Sequence, residues 1–217
     1  RGLSLETART MAVNTIVVDG EALRGYNTDV EGVRAALMET AGTSLAGQVV
    51  GGGIVMDVGR HLNRIVHLDA GRRRVRVQPG VVRNDLNLHL RPHGLHFTPE
   101  TSTANRAMIG GMVGNNSCGA NSIVYVTTRE HLVSARGLLS DGSEVTFGPL
   151  TRDEFAAKCA GPDTVETRIY RFVRGLLGDP KNRELIREHF PKPEVTRRNT
   201  GYALDQLMAC EVFDPAS

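Results

Sequence analysis

Residues 99–119 read PETSTANRAMIGGMVGNNSCG. Small residues and side-chain amides surround a pair of glycines, Gly110 and Gly111. The segment holds no run of bulky apolar residues, so it buries little by itself. Glycine lacks the Cβ that keeps another group away from the backbone. Threonine, serine and asparagine add donors and acceptors. The polar arms of a cofactor need such a surface. The same composition also describes a polar loop leading into a helix, and composition alone does not choose between the two.

Reading outward settles more. Upstream lie GTSLAGQ at 42–48, GIVMD at 53–57, RHLNRI at 60–65 and VRVQPGV at 75–81. Downstream lie Val124 and Tyr125, then EHL at 130–132 and the turn SDG at 140–142. In this order the motifs resemble the FAD-linked oxidases of the vanillyl-alcohol oxidase type, with their PCMH-type FAD-binding domain. The likeness is greatest to the D-lactate and glycolate dehydrogenase branch, and it runs from about residue 42 to the C-terminus.

The resemblance implies an α+β fold, a PCMH-type FAD-binding domain of two α/β subdomains. It implies FAD as cofactor, a small 2-hydroxy acid as substrate and a separate electron acceptor. Thr43, Ser44, Gly47 and Gln48 would face the diphosphate, where backbone N–H groups of a glycine-rich turn form an anion-binding nest. Pro99, Glu100, Thr101, Gly110, Gly111, Asn115, Asn116, Ser117 and Gly119 would line the remainder of the flavin site. Glu100 stands where the family more often has aspartate, and its carboxylate suits a ribose hydroxyl. The family's cap and a later flavin-pocket segment lie beyond the last residue here. The expectation is therefore an incomplete domain with little catalysis of its own, and no residue receives a catalytic role.

Two departures from the family pattern matter. Before Thr43 only Gly42 remains of the usual glycine run, which weakens the expected diphosphate grip. After Tyr125 the family tends to have glycine and lysine, whereas this chain has Val126 and Thr127. A β-branched residue does not take φ > 0 without strain. If the loop requires that conformation, it is strained here.

The first part of the chain reads differently. AVNTI at 12–16 and GYNTD at 25–29, with Gly32 after them, resemble the substrate-binding domain of shikimate dehydrogenase. That likeness would give Asn14 and Asp29 the substrate hydroxyls. Forty residues are too few to build such a domain. The reading thus divides the chain into a shikimate dehydrogenase-like fragment, 1–41, and a partial FAD-binding domain, 42–217, joined between Ala41 and Gly42. The shikimate-binding fragment and a remnant without enzymatic function stand as alternatives to the flavoprotein.

The totals narrow the remaining choices. A chain of 217 residues with 40% hydrophobic content can close a core. A net charge of +2 is too balanced for nucleic acid or an anionic membrane as the main partner. Arg72, Arg73 and Arg74 sit in an expected turn and read as a solvated face. Cys118, Cys159 and Cys210 are scattered and odd in number, which argues against a disulfide framework and fits a reducing cytoplasm. No apolar run is long enough to span a membrane. No N-terminal signal pattern is visible. His89 and His93 have helical spacing, but Pro92 between them argues against a metal pair, and no metal site is expected.

Local signals complete the reading. A strand is expected at 12–18 with a turn at Asp19 and Gly20, and a helix at 29–41 with Asp29 as its cap. Strands are expected near 49–50 and 54–58, around the glycine-rich loop 42–53. A hairpin at 65–78 turns at Asp69, Ala70 and Gly71, with Val75 and Val77 inward. A helix is expected at 82–91, closed by Pro92 and Gly94. Asp141 and Gly142 signal a second hairpin between 132–139 and 145–147. Thr151 and Glu154 form a capping box. A helix at 164–177 presents Val165, Ile169, Phe172, Val173, Leu176 and Leu177 on one face, and another at 181–190 ends at Pro191. Residues 193–217 show no pattern.

Overall fold

Turn chemistry accounts for the three hairpins. In the computed structural model, residues 15–19, 22–26, 58–192, 194–195, 202–210 and 212–213 are described. Strands β1 (Thr15–Asp19) and β2 (Ala22–Tyr26) pair antiparallel across the expected turn. β3 (Ile65–Asp69) and β4 (Arg74–Val77) form the second hairpin. Asp69 Oδ1 accepts from Arg72 N at 2.9 Å, and Arg73 takes the left-handed position at φ 53°. β5 (Ala135–Leu138) and β6 (Glu144–Phe147) form the third. There Gly142 sits at φ 81°, and Asp141 Oδ1 accepts from Ser143 N. β5 is shorter than expected because its register ends where Ala135 meets Phe147, so 132–134 have no partner in β6. These two-stranded sheets, with the helices between them, make the described residues α+β.

The chain falls into two compact units, divided between His131 and Leu132. The first contains β1 to β4 and helices α1 (Val58–His61), α2 (Arg83–Leu90), α3 (Ile109–Gly114) and α4 (Ser122–Tyr125). Val58 opens α1, which corrects the strand expected to reach that residue. Residues 54–57, the helix at 29–41 and the loop at 42–53 lie outside the described residues. α2 buries Leu86 and Leu90, four apart, and turns Leu88 to solvent. Its last turn tightens into a 3₁₀ helix, Arg91–His93, and Gly94 closes it at φ 67°. Leu86, Leu90, Val81, Ala107, Ile109 and Met112 form the core, with Val75, Val77, Leu95 and Phe97 packed against it. Val75 and Val77 thus face inward, as their alternation requires.

The second unit contains β5, β6 and helices α5 (Arg152–Ala160), α6 (Val165–Gly178), α7 (Pro180–His189) and α8 (Leu204–Met208). The Thr151–Glu154 capping box is present at the start of α5. Thr164 caps α6, and Asp179 caps α7 with Pro180 in the first turn. Arg171 closes the far end of α5 by donating to the carbonyls of Cys159 and Gly161. The buried stripe of α6 is Thr167, Tyr170 and Leu177. Phe172 is 61% exposed, so the expected face is displaced. The displacement follows from aromatic packing, because Tyr170 meets Phe155 edge-on at 5.7 Å and Phe155 meets Phe213 at 5.1 Å. α8 has no counterpart in the sequence reading.

Candidate functional site

The glycine-rich segment docks on the chain that follows β4. Ile109 N donates to Val81 O at 2.9 Å, Gly110 N to Pro79 O at 2.8 Å, and Arg83 N to Ala107 O at 2.9 Å. Val82 and Met108 form an isolated antiparallel bridge between them. This close docking explains Gly110. A Cβ there would lie 2.6 Å from Pro79 Cβ, inside any real contact. Gly80 meets the same limit, since a Cβ on it would lie 2.1 Å from Val58 O. Gly119 meets it against Glu100, whose carbonyl oxygen would be 2.7 Å away. Three glycines that read as openings for a ligand or as turns are therefore needed for contacts within the protein.

Pro99 and Glu100 are held from two sides. Gly119 packs on Glu100, and the guanidinium of Arg83 donates from Nε to Pro99 O at 2.7 Å. Arg83 is only 8% exposed and forms no ion pair among the described residues. Its Nη1 reaches Asn84 Oδ1 at 3.5 Å, and no fully buried side-chain nitrogen or oxygen among the described residues lacks a partner, so burying the charge is tolerated. The sequence reading passed over Arg83, because an arginine at a helix start looks like surface. Thr101 and Thr103 make a local hydroxyl turn, Oγ1 to Oγ1 at 3.2 Å.

Asn116 and Ser117 face another partner. Asn116 Oδ1 accepts from Arg129 N at 2.9 Å, and the Thr127 hydroxyl lies 2.8 Å from it. Ser117 O accepts from Thr128 N at 3.1 Å and from Thr128 Oγ1 at 2.7 Å. Both threonines are buried. Asn116 takes φ 48°, a left-handed value that asparagine tolerates better than most. The Asn116 carboxamide oxygen is thus engaged in building the turn 126–131. Asn115 ends α3, donating from its amide to Gly111 O.

Val126 lies at φ 58°, ψ −157°. That region belongs to glycine and costs roughly 1–3 kcal/mol for another residue. The strain expected of a valine at this position is therefore present. The next 3₁₀ turn, Arg129–His131, holds it in place. Glu130 Oε2 accepts from Thr127 N at 2.8 Å, and the Thr127 hydroxyl lies 2.5 Å from the same oxygen. Glu130 Oε1 accepts from Arg129 at 3.0 and 3.1 Å. Burial pushes the Glu130 carboxyl up, but the hydrogen bonds from Thr127 and Arg129 outweigh it and leave the group below the ordinary glutamate value. His131 Nε2 lies 2.9 Å from Tyr125 O and 3.2 Å from Thr98 Oγ1. A carbonyl only accepts, so the imidazole proton resides on Nε2. Thr127 and Glu130 have capping-box spacing, a signal the sequence contained and the reading did not use.

Of the predicted residues, the structure brings Glu100 against Gly119 and turns the Asn116 amide and the Ser117 carbonyl toward residues 127–129. It places Gly110 against Pro79. Thr43, Ser44, Gly47 and Gln48 lie outside the described residues. An open groove of about 410 Å3 runs past Gly80, with Arg60, Asn63, Asp85 and Arg106 among its walls, and none of the predicted residues lines it.

With that geometry in view, the relatives are informative. The family model described as "FAD binding domain" matches residues 8–148, well over half of the chain. The chain belongs to this family. It is 41% identical to a D-2-hydroxyglutarate dehydrogenase of Pantoea ananatis (strain AJ13355) over 175 residues, 80% of this chain and 17% of that protein. A D-2-hydroxyglutarate dehydrogenase of Escherichia coli (strain K12) is 38% identical over 80% of this chain and 16% of its own length. The glycolate oxidase subunit GlcD of Bacillus subtilis (strain 168) is 31% identical over 72% of this chain and 32% of its own length. The chain thus spans about a sixth of the dehydrogenases it matches best among these. The match begins at residue 8 and runs through the stretch set apart as shikimate dehydrogenase-like. Nothing in these relatives supports that alternative. Among the described residues, no helix is long and apolar enough to cross a membrane.

Proposed function

We propose that this chain is the flavin-holding part of an oxidoreductase that oxidises a 2-hydroxy acid. The observation that carries the reading is the FAD-binding family match over residues 8–148, with D-2-hydroxyglutarate dehydrogenase, glycolate oxidase and D-lactate dehydrogenase among the relatives. Bound FAD supplies the hydride acceptor, flavin N5, for the carbinol carbon of the substrate. The protein's part is to hold and orient that group.

The residues present fit it. The Glu100 carboxylate has neither an ion pair nor a hydrogen bond among the described residues, which leaves it available to a ribose hydroxyl. The Ser117 hydroxyl and the Val126 carbonyl are likewise without partners among the described residues. Thr101, Gly111 and Asn115 complete the surface, with Thr43, Ser44, Gly47 and Gln48 assigned to the diphosphate, while Pro99, fully buried and held by Arg83, supports it from beneath rather than lining it as expected. Gly110 and Gly119 shape it from behind through their contacts with Pro79 and Glu100. We read the whole as part of a PCMH-type domain of two α/β subdomains, working in the cytoplasm with a separate electron acceptor. The similarity to D-2-hydroxyglutarate dehydrogenases favours a substrate with a second carboxylate.

Titration of the purified chain with FAD tests the reading. Quenching of flavin fluorescence at micromolar protein, with a visible band retained after gel filtration, is the expected result. Fluorescence unchanged at tens of micromolar protein would overturn it. If FAD binds, D-2-hydroxyglutarate should bleach the flavin faster than glycolate does in the absence of oxygen.

A further inference from the structure

Val126 poses a specific physical question. A β-branched residue in a glycine region relaxes unless its surroundings prevent it. Here both flanking peptide groups are restrained, and by adjacent side chains. His131 Nε2 donates to the carbonyl of Tyr125, immediately before Val126, at 2.9 Å. Glu130 Oε2 accepts from the amide of Thr127, immediately after it, at 2.8 Å. Arg129 fixes the other Glu130 oxygen, and Phe97 packs edge-on against the His131 ring at 5.9 Å. The C=O of the clamped residue has no hydrogen-bond partner among the described residues. A segment that stores strain, restrains both flanking peptide groups and leaves the Val126 carbonyl open is built to present that carbonyl.

We propose that Glu130 and His131 are positioning residues of the flavin site, clamping the turn so that the unpartnered Val126 carbonyl faces a bound flavin. The proposal rests on the flavin reading above. It assigns neither residue a contact with the cofactor. Asn116 belongs to the same device, because its side-chain oxygen holds Arg129 N and lies within reach of the Thr127 hydroxyl.

The test is a double-mutant cycle on the 217-residue chain, with FAD affinity as the first readout. Glu130→Ala removes the acceptor for Thr127 N–H and should raise the FAD Kd about tenfold. Glu130→Gln keeps an acceptor oxygen and should stay within about threefold of wild type. In the Val126→Gly background the left-handed conformation is unstrained. There the Glu130→Ala effect should fall below about threefold. Circular dichroism of the flavin band at saturating FAD supplies the second readout. It should change in Glu130→Ala and return in Glu130→Gln, whereas a general loss of stability would leave it unaltered. An equal loss of affinity in the Val126 and Val126→Gly backgrounds, or an unchanged Kd in Glu130→Ala, would overturn the proposal. If the wild-type chain fails to bind FAD, the flavin reading and this role fall together. The clamp itself is then decided by thermal midpoints. A Glu130→Ala loss larger by about 2–4 °C with Val126 present than in the Val126→Gly background would retain it. Equal losses would remove it.

Discussion

At the scale of single residues, Val126 sets a sign that is unusual for a substitution to glycine. Changing a residue to glycine ordinarily destabilises, because the unfolded chain gains freedom. At φ 58° the folded state gains more, since roughly 1–3 kcal/mol of strain is relieved against about 0.5–1 kcal/mol of entropy. The side chain is 37% exposed, so lost burial offsets part of that gain, and Val126→Gly should be neutral or stabilising by up to about 1 kcal/mol. Urea unfolding of the two proteins measures it, and a destabilised variant would show that the turn is unstrained in solution. Glu130 carries a second expectation. Its folded value is depressed, so its stabilising effect is complete above the unfolded value, near pH 4.3, and disappears as pH falls through the lower folded value. The difference in thermal midpoint between wild type and Glu130→Ala should hold steady from pH 7 to about pH 5 and close toward pH 3. The unsuitability of valine here was legible from residue type alone. The positive φ itself was not legible, because it is imposed by Glu130 and His131 rather than by anything local to residues 124–128.

At the scale of elements, legibility follows the range of the interaction. The turns at Asp69 and at Asp141 and Gly142, and the Thr151–Glu154 box, form from neighbours in sequence, and the structure contains them as read. Strand β2 was missed because ALRGY carries neither alternation nor a run of branched residues. The face of α6 was misjudged because Phe172 looks apolar, whereas Tyr170 is the residue that reaches Phe155. The glycines of the site were misjudged for the same reason. Composition shows that a Cβ is absent at Gly110, but not that Pro79 lies where it would be. Two positions in α3 separate the possibilities. Gly110→Ala forces the docked segments apart and should cost about 1–3 kcal/mol. Gly114→Ala meets nothing within 4 Å and should be neutral or stabilising by up to about 1 kcal/mol. Thermal unfolding of both variants checks the pair, and equal losses would mean that α3 does not dock on Pro79.

At the scale of the whole molecule, the core of the first unit and the candidate site are different residues in one body, and ligand linkage should distinguish them. Leu86 is 1% exposed, within a cluster that includes Met112 and Ile109. Leu86→Ala should cost about 2–5 kcal/mol through lost burial and the cavity left behind. It is not among the residues assigned to the flavin, so FAD affinity measured well below the midpoint should be nearly unchanged. Glu130→Ala should show the opposite balance, with affinity lost more than stability. The two effects combine through mass action. FAD at about 100 times its Kd adds about 2.7 kcal/mol to whatever stability remains, equivalent to about 5–11 °C in a chain of this size. Leu86→Ala should retain that full increment from a lower starting point, while Glu130→Ala at the same FAD concentration should lose much of it. Thermal shifts recorded over a range of FAD concentrations resolve the two patterns. A smaller increment in Leu86→Ala would mean that the core packing also shapes the site. An undiminished one in Glu130→Ala would mean that the clamp supports only the fold.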